Sequence, residues 1–217
     1  MQAALENTRR HLLSLRNAQG HWEGELARSA LSTATAIVAL QLVDAVQHDA
    51  NIHTGVDWLV RHQNADGGWG DTPLSKSNLS TTLLCWSALT LMDRHLSCAC
   101  PDVAINRPPP SIRPALSACH HWIKGAVGSL DTEAIRQAVI ARYGKDKTFS
   151  VPILMLCAIC GTLGKTAWRR VLPLPFELAA LPRGWFGAIG LPVVSYALPA
   201  LIAIGYARHY HAPFAWW

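Results

Sequence analysis

Apolar residues along this chain recur at helical spacing, in segments separated by glycine or proline breaks. Leu12, Leu13 and Leu15 mark one face of a short helix ending near Asn17. Ser29 to Val46 and Ser77 to Asp93 read as long apolar helices rich in small residues, each started by a serine or asparagine cap. Between them, Trp58 and Leu59 belong to another apolar helix end. Asp66-Gly67-Gly68 closes it, because glycine reaches the left-handed backbone region that terminates helices. Leu116 to Lys124 resumes helically. Asp131 caps a helix through Tyr143, with Glu133 in the first turn, where the helix dipole favours an acid. Gly144 to Lys147 reads as a turn, and Thr148 to Gly161 as a further apolar helix with Pro152 in its first turn. Pro101, Pro108, Pro109, Pro110 and Pro114 forbid a continuing helix, so residues 97–114 are expected to form an extended surface connection.

The helix-ending turn occurs twice. With a shift of 47, Leu12 falls on Leu59, Asn17 on Asn64, Gly20 on Gly67 and Trp22 on Trp69, while Arg16 stands where Gln63 does. Downstream, with a shift of 48, Leu31-Ser32-Thr33 answers Leu79-Ser80-Thr81. The unit is helix, glycine turn with tryptophan, extended link, helix. Units of about 5–48 and 52–96 predict stacked helical hairpins, none of which can bury its apolar face alone. Trp122-Ile123 resembles Trp58-Leu59, but no glycine-tryptophan turn follows it, so 115–210 reads as degenerate repeats plus an apolar segment. The whole of 1–217 therefore reads as one all-α domain, or most of one.

Composition adds a membrane question. Half of the residues are hydrophobic and 15% are charged, below the roughly 25% usual for soluble domains. Gly184 to Ala207 carries no charge, yet Gly187, Gly190, Pro192, Pro199 and Gly205 argue against one straight span and for a buried or interfacial helix. From Lys147 onward six basic residues meet a single acid, Glu177. Basic residues interleaved with apolar runs suit an anionic membrane surface, or scattered solvated charge, better than nucleic acid. Met1 to Arg16 lacks the apolar core of a secretory signal, so the six cysteines are expected to be reduced thiols in the cytoplasm.

Other constellations point to structure more than chemistry. Cys98, Cys100, Cys119, His120 and His121 lack the spacing of a zinc finger or ribbon, and no metal or cofactor is expected. Cys157 and Cys160 lie in an apolar helix, without the setting that lowers a thiol pKa. His209 and His211 are expected to be exposed, with no nucleophile beside them. Asp66 has Gln19 as its counterpart in the first copy, which argues for a structural rather than a catalytic carboxylate.

The paired turns, with Trp22, Gln63, Gly67 and Trp69 as the repeat motif, resemble the glutamine-tryptophan repeats of the squalene cyclase and prenyltransferase superfamily. Gly20-His21-Trp22-Glu23-Gly24, Thr148 to Leu154, Pro173 to Leu178 and Leu191 to Ala197 are similar to squalene-hopene cyclases in particular. The resemblance implies an α/α toroid of alternating inner and outer helices, here a single or incomplete barrel. It implies a monotopic, peripherally membrane-associated protein that handles a squalene-like isoprenoid by proton-initiated polycyclisation to hopanoid-type triterpenes, without a cofactor. Phe149, Phe176, Trp185, Phe186 and Tyr196 lie in the segments resembling the channel side, and are assigned as channel or membrane-facing residues, with core packing as the alternative. The family's proton donor, an Asp-x-Asp-Asp motif, does not occur in the sequence; Asp44 with Asp49 and Asp131 with Glu133 lack its spacing. The chain thus resembles the non-protonating N-terminal barrel, expected to be inactive alone and to need a second barrel, as a domain or a chain, carrying the acid. The competing readings are a non-catalytic α-toroid that binds an isoprenoid or a protein, and a domain like the protein prenyltransferase β-subunit.

Overall fold

The computed structural model describes residues 2–24, 26–98, 112–144, 147–164, 166–171, 176–180, 182, 185 and 197–213. Those residues are helical wherever they are regular: α1 (Gln2–Ser14), α2 (Ala30–Asp44), α3 (Asp49–Arg61), α4 (Leu79–Cys98), α5 (Ile112–Val127), α6 (Thr132–Tyr143), α7 (Lys147–Ile159), the short α8 (Ala167–Arg170), a 3-10 turn at Phe176–Ala180, and α9 (Ala197–His211). The fold is all-α, as the periodicity predicts.

The helices form two layers. In one, α2 packs on α4, α4 on α7, and α7 on α9; in the other, α3 meets α5 and α5 meets α6. Crossing contacts of α2 with α3, α4 with α5 and α6 with α7 join the layers. This alternation is the arc of an α/α toroid. The central member of the inner layer is α4, whose residues Ser80 to Leu89 are all buried. A helix apolar on one stripe only could not meet that demand. Here Thr81, Thr82 and Ser87 leave small polar groups on its remaining faces, and neighbours cover them from every side.

Local signals explain most of the helix ends. Ser29 caps α2, its hydroxyl accepting from the Ser32 amide at 3.3 Å. Asp131 caps α6 by accepting from the amides of Glu133 (2.9 Å) and Ala134 (3.2 Å), as expected. Glu133 is held down to about 2 by its hydrogen bond to Arg136, by the bond from Gln137 and by the charges of Arg136 and Arg170, against a smaller effect of desolvation.

Two proline positions differ from the sequence reading. Pro114 does not precede a helix; it sits in the first turn of α5, where the missing N–H is no loss. Pro152 stands beyond the first turn of α7, because that helix begins at Lys147, inside the segment read as a turn. The Ser97 to Arg113 connection is helical at both ends, through Cys98 and from Ile112, and 99–111 lies outside the described residues. Of the Gly184 to Ala207 segment, 184, 186–196 likewise lie outside them, and the remainder from Ala197 is the first part of α9. Among the described residues, no helix is long and apolar enough to cross a membrane.

Candidate functional site

Two turns, built alike, set the geometry of the N-terminal half. In each, an asparagine begins a tight turn: the Gly20 amide donates to Asn17 O (3.0 Å) and the Gly67 amide to Asn64 O (2.9 Å). Both glycines have positive φ, +85° and +89°, which makes glycine the residue of choice there. Each tryptophan indole N–H then reaches back ten residues to a carbonyl at the end of the preceding helix. Trp22 donates to Leu12 O at 2.6 Å, and Trp69 to Leu59 O at 2.9 Å. Carbonyls in the last turn of a helix lack the regular intrahelical donor, and the indole serves them: at Leu59 O it is the one donor among the described residues, and at Leu12 O it acts beside the Leu15 amide (3.2 Å). Trp69 is fully buried whereas Trp22 is 47% exposed.

The Arg16 position, a departure in sequence, is a conservation in geometry. Arg16 Nε donates to Gly20 O at 2.6 Å, and Gln63 Nε2 donates to Gly67 O at 2.8 Å. A guanidinium and a carboxamide thus make the same bond in the two copies. The copies differ in what else they hold. Gln63 also donates to Ala115 O on α5 (2.9 Å), and the Trp122 indole of α5 donates to Asp66 Oδ2 (3.1 Å). Asp66 Oδ1 accepts from the Gly68 amide (3.0 Å) and Ser77 Oγ (2.7 Å). Partial desolvation pushes the Asp66 carboxyl up, but the bonds from Ser77, Gly68 and Trp122 together outweigh it and leave it below the ordinary range. It is an ionised structural acceptor, unsuited to donate a proton. Sequence reasoning missed its tie to Trp122; the signal was the match of Trp122-Ile123 to Trp58-Leu59, which placed a tryptophan at the same level of the next outer helix.

A second acidic group works the same way. Asp71 Oδ1 accepts from Thr81 Oγ1 (2.5 Å) and Asn78 Nδ2 (2.8 Å), pinning the extended link to the start of α4. Those two bonds lower its pKa, with help from the Arg142 charge and against desolvation.

The aromatic residues assigned to a channel fall into separate places. Phe149, 56% exposed, stacks on Tyr143 with centroids 5.8 Å apart, and Tyr143 in turn bonds Ser80 of α4 at 2.6 Å. Phe176 is half-buried and meets α9, edge-on to Tyr206 (5.6 Å) and 5.3 Å from His209. Trp185 is 59% exposed, and Phe186 and Tyr196 lie outside the described residues. The 3-10 turn and α9 bring Phe176 to Tyr206, while Phe149 belongs to the α6–α7 corner.

The four described cysteine side chains, with His120 and His211, are accounted for by packing. Cys85, Cys119, Cys157 and Cys160 are buried free thiols. Burial pushes all four up, Cys160 to about 12 with the neighbouring Cys157 adding to the effect. Ser87 Oγ donates to Cys157 Sγ at 3.3 Å. His120 accepts the Trp86 indole N–H at 2.9 Å, and His211 stacks on Trp168. The Cys98 side chain and Cys100 lie outside the described residues, and among the described residues no three His, Cys, Asp or Glu gather as a metal site.

Stacked α/α hairpins closed by glycine turns, each with an indole returned to the preceding helix, define a helical-repeat protein of the toroid class. Residues 5–96, which hold both turns, match the squalene-hopene cyclase N-terminal domain. That segment, less than half of the chain, is what the chain shares with the squalene cyclase N-terminal domain family. It is also similar to the terpene cyclase-glycosyl transferase fusion protein fsoA of Humicola fuscoatra, 27% identical over 216 residues, which is 98% of this chain. The chain spans only 13% of that relative's length. No solved structure matches it.

Proposed function

We propose that this chain is the cavity-shaping toroid of a terpene cyclase, working with a second barrel that supplies the initiating acid. The observation that carries the reading is the family match over 5–96, in which both turns keep the indole-to-carbonyl bond that defines the repeat. The two layers of helices give such a module its rigid wall, and the similarity to a terpene cyclase fusion supports terpene chemistry. Asp66 in the second turn and Asp71 in the link after it are hydrogen-bonded acceptors with lowered pKa, which supports a proton source other than these two carboxylates.

The substrate class we propose is a squalene-like isoprenoid, cyclised toward a triterpene of the hopanoid type. Phe149, Phe176 and Trp185, together with Phe186 and Tyr196, are the proposed channel or membrane-facing aromatics; the exposure of Phe149 and Trp185 supports an apolar partner at those positions. Peripheral attachment at the cytoplasmic face is proposed from the basic, weakly charged C-terminal third.

The test is reconstitution. The chain is incubated with squalene alone, and then with a barrel bearing an Asp-x-Asp-Asp motif, in detergent or vesicles. Cyclic product with the partner and none without it is the expected result. Isoprenoid binding with no conversion in either arm would replace this reading by a non-catalytic carrier.

A further inference from the structure

Between α5, α6 and the link before α4 lies an open cavity of about 570 Å³, a size that suits a small organic molecule. Trp122 and Ala126 wall it from α5, Ala138 and Arg142 from α6, and Ser77 and Asn78 from the link. Trp122 and Ala126, like Ala138 and Arg142, stand four residues apart, so each helix turns one face to the space. Alanine at 126 and 138 keeps it open, where a longer side chain would fill it. Trp122 is fixed by its indole bond to Asp66, and its ring is a preformed apolar wall.

The polar side chains around this space are already engaged, with one exception. Ser77 Oγ donates to Asp66 (2.7 Å) and accepts from Asn64 (2.9 Å). Asn78 donates to Asp71 (2.8 Å) and accepts from the Thr81 amide (3.0 Å). The exception is Arg142. Its charge reaches Asp71, but among the described residues its guanidinium makes no hydrogen bond or ion pair.

A small inorganic anion would engage the guanidinium and leave the aromatic wall wet. A pure hydrocarbon would cover the wall and leave the cation unused. We propose that the cavity is a binding site for an anionic amphiphile, its carboxylate or phosphate paired with Arg142 and its apolar body laid on Trp122, Ala126 and Ala138. A guanidinium offers two parallel N–H groups to either anion, which fixes the headgroup while the apolar wall supplies the burial. Squalene carries no anionic group, so this ligand is a different molecule from the proposed substrate, and the site does not depend on that reading.

Isothermal titration calorimetry on the full chain tests this with octanoate and octyl phosphate as probes, and with acetate, inorganic phosphate and octanol as their separate parts. One of the two amphiphiles is expected to bind at least about ten-fold more tightly than its own headgroup and than octanol, and the better of the two identifies the headgroup. Arg142→Gln and Ala126→Phe, both at exposed positions, are each expected to weaken that binding about ten-fold, with circular dichroism checking the fold. To place the probe, the chain is labelled with fluorotryptophan, and Trp122→Phe identifies the Trp122 fluorine signal. That signal is expected to move on titration of the parent and to stay still in Ala126→Phe. Binding that either variant leaves unchanged, a Trp122 signal that does not move, or no binding by either amphiphile would overturn the proposal.

Discussion

Gln63 and Ala115 lie 52 residues apart and are joined by a 2.9 Å hydrogen bond from the carboxamide to the backbone carbonyl. The same carboxamide donates to Gly67 O, so one side chain both shapes its own turn and grips the following hairpin. Gln63→Ala removes both bonds at a half-buried site. The expected cost is about 2 kcal/mol, from two ordinary hydrogen bonds of about 1 kcal/mol each. Gln63→Arg keeps the Gly67 bond, as Arg16 keeps its equivalent, and should cost less. Urea unfolding of the three proteins checks the order.

The two tryptophans make one bond in two environments, and so separate burial from hydrogen bonding. Trp69→Ala empties a fully buried site and is expected to cost about 3–5 kcal/mol. Trp22→Ala, at a half-exposed site, is expected to cost about 1 kcal/mol. Equal shifts in the denaturation midpoint would mean that Trp22 is as deeply buried in solution as Trp69.

Gly67→Ala and Gly20→Ala share the strain of a positive φ, about 1–2 kcal/mol for an L-residue. Only Gly67 adds a collision with a backbone carbonyl, at 2.5 Å from Ala118 O. Backbone cannot swing aside as the Arg16 side chain can. Gly67→Ala is therefore expected to lower the melting temperature well beyond Gly20→Ala, with scanning calorimetry as the readout.

Acid should loosen the turn. Asp66 and Asp71 have folded pKa values below the ordinary 3.8, so their contribution is fully present above that value and is lost as pH falls through the lowered ones. Stability is expected to be flat from neutral pH down to about 5 on their account and to fall below about 4. In Asp66→Asn the acid limb is shallower, and the midpoint difference from the parent shrinks at low pH. A parallel offset at all pH values would show that Asp66 is not ionised in the fold.

Cys85, Cys119, Cys157 and Cys160 are buried, with thiols pushed upward by desolvation. Iodoacetamide at pH 8 is expected to leave these four unmodified in the native chain and to label them once urea unfolds it, as peptide mass mapping would show.

The fold was legible because its signals are local and repeated. Helical periodicity, the Ser29 and Asp131 caps and the two glycine turns each act within a few residues, and the shift of 47 tied them together. What escaped is non-local. Nothing in the sequence near Asp66 announces that its partner is Trp122 of α5, or that Ser80 will meet Tyr143. Arg16 looked like a lapse from the glutamine pattern because side-chain identity, rather than the bond made, was being compared. The proline misreadings have a common cause as well. Proline is excluded from a helix interior but welcome in its first turn, and only the placement of the N-terminus decides which applies.

The ten consecutive buried residues of α4 have a consequence for synthesis. As the chain leaves the ribosome, α2 and α3 are already available to α4, but α5 follows, and α7, whose Cys157 meets Ser87, emerges some 70 residues after that serine. Until then the face of α4 destined for α7 is an apolar strip with nothing to rest on. The newborn chain must therefore delay its collapse or be shielded, and substitutions that weaken α7 should show first as aggregation during expression rather than as a lower melting temperature.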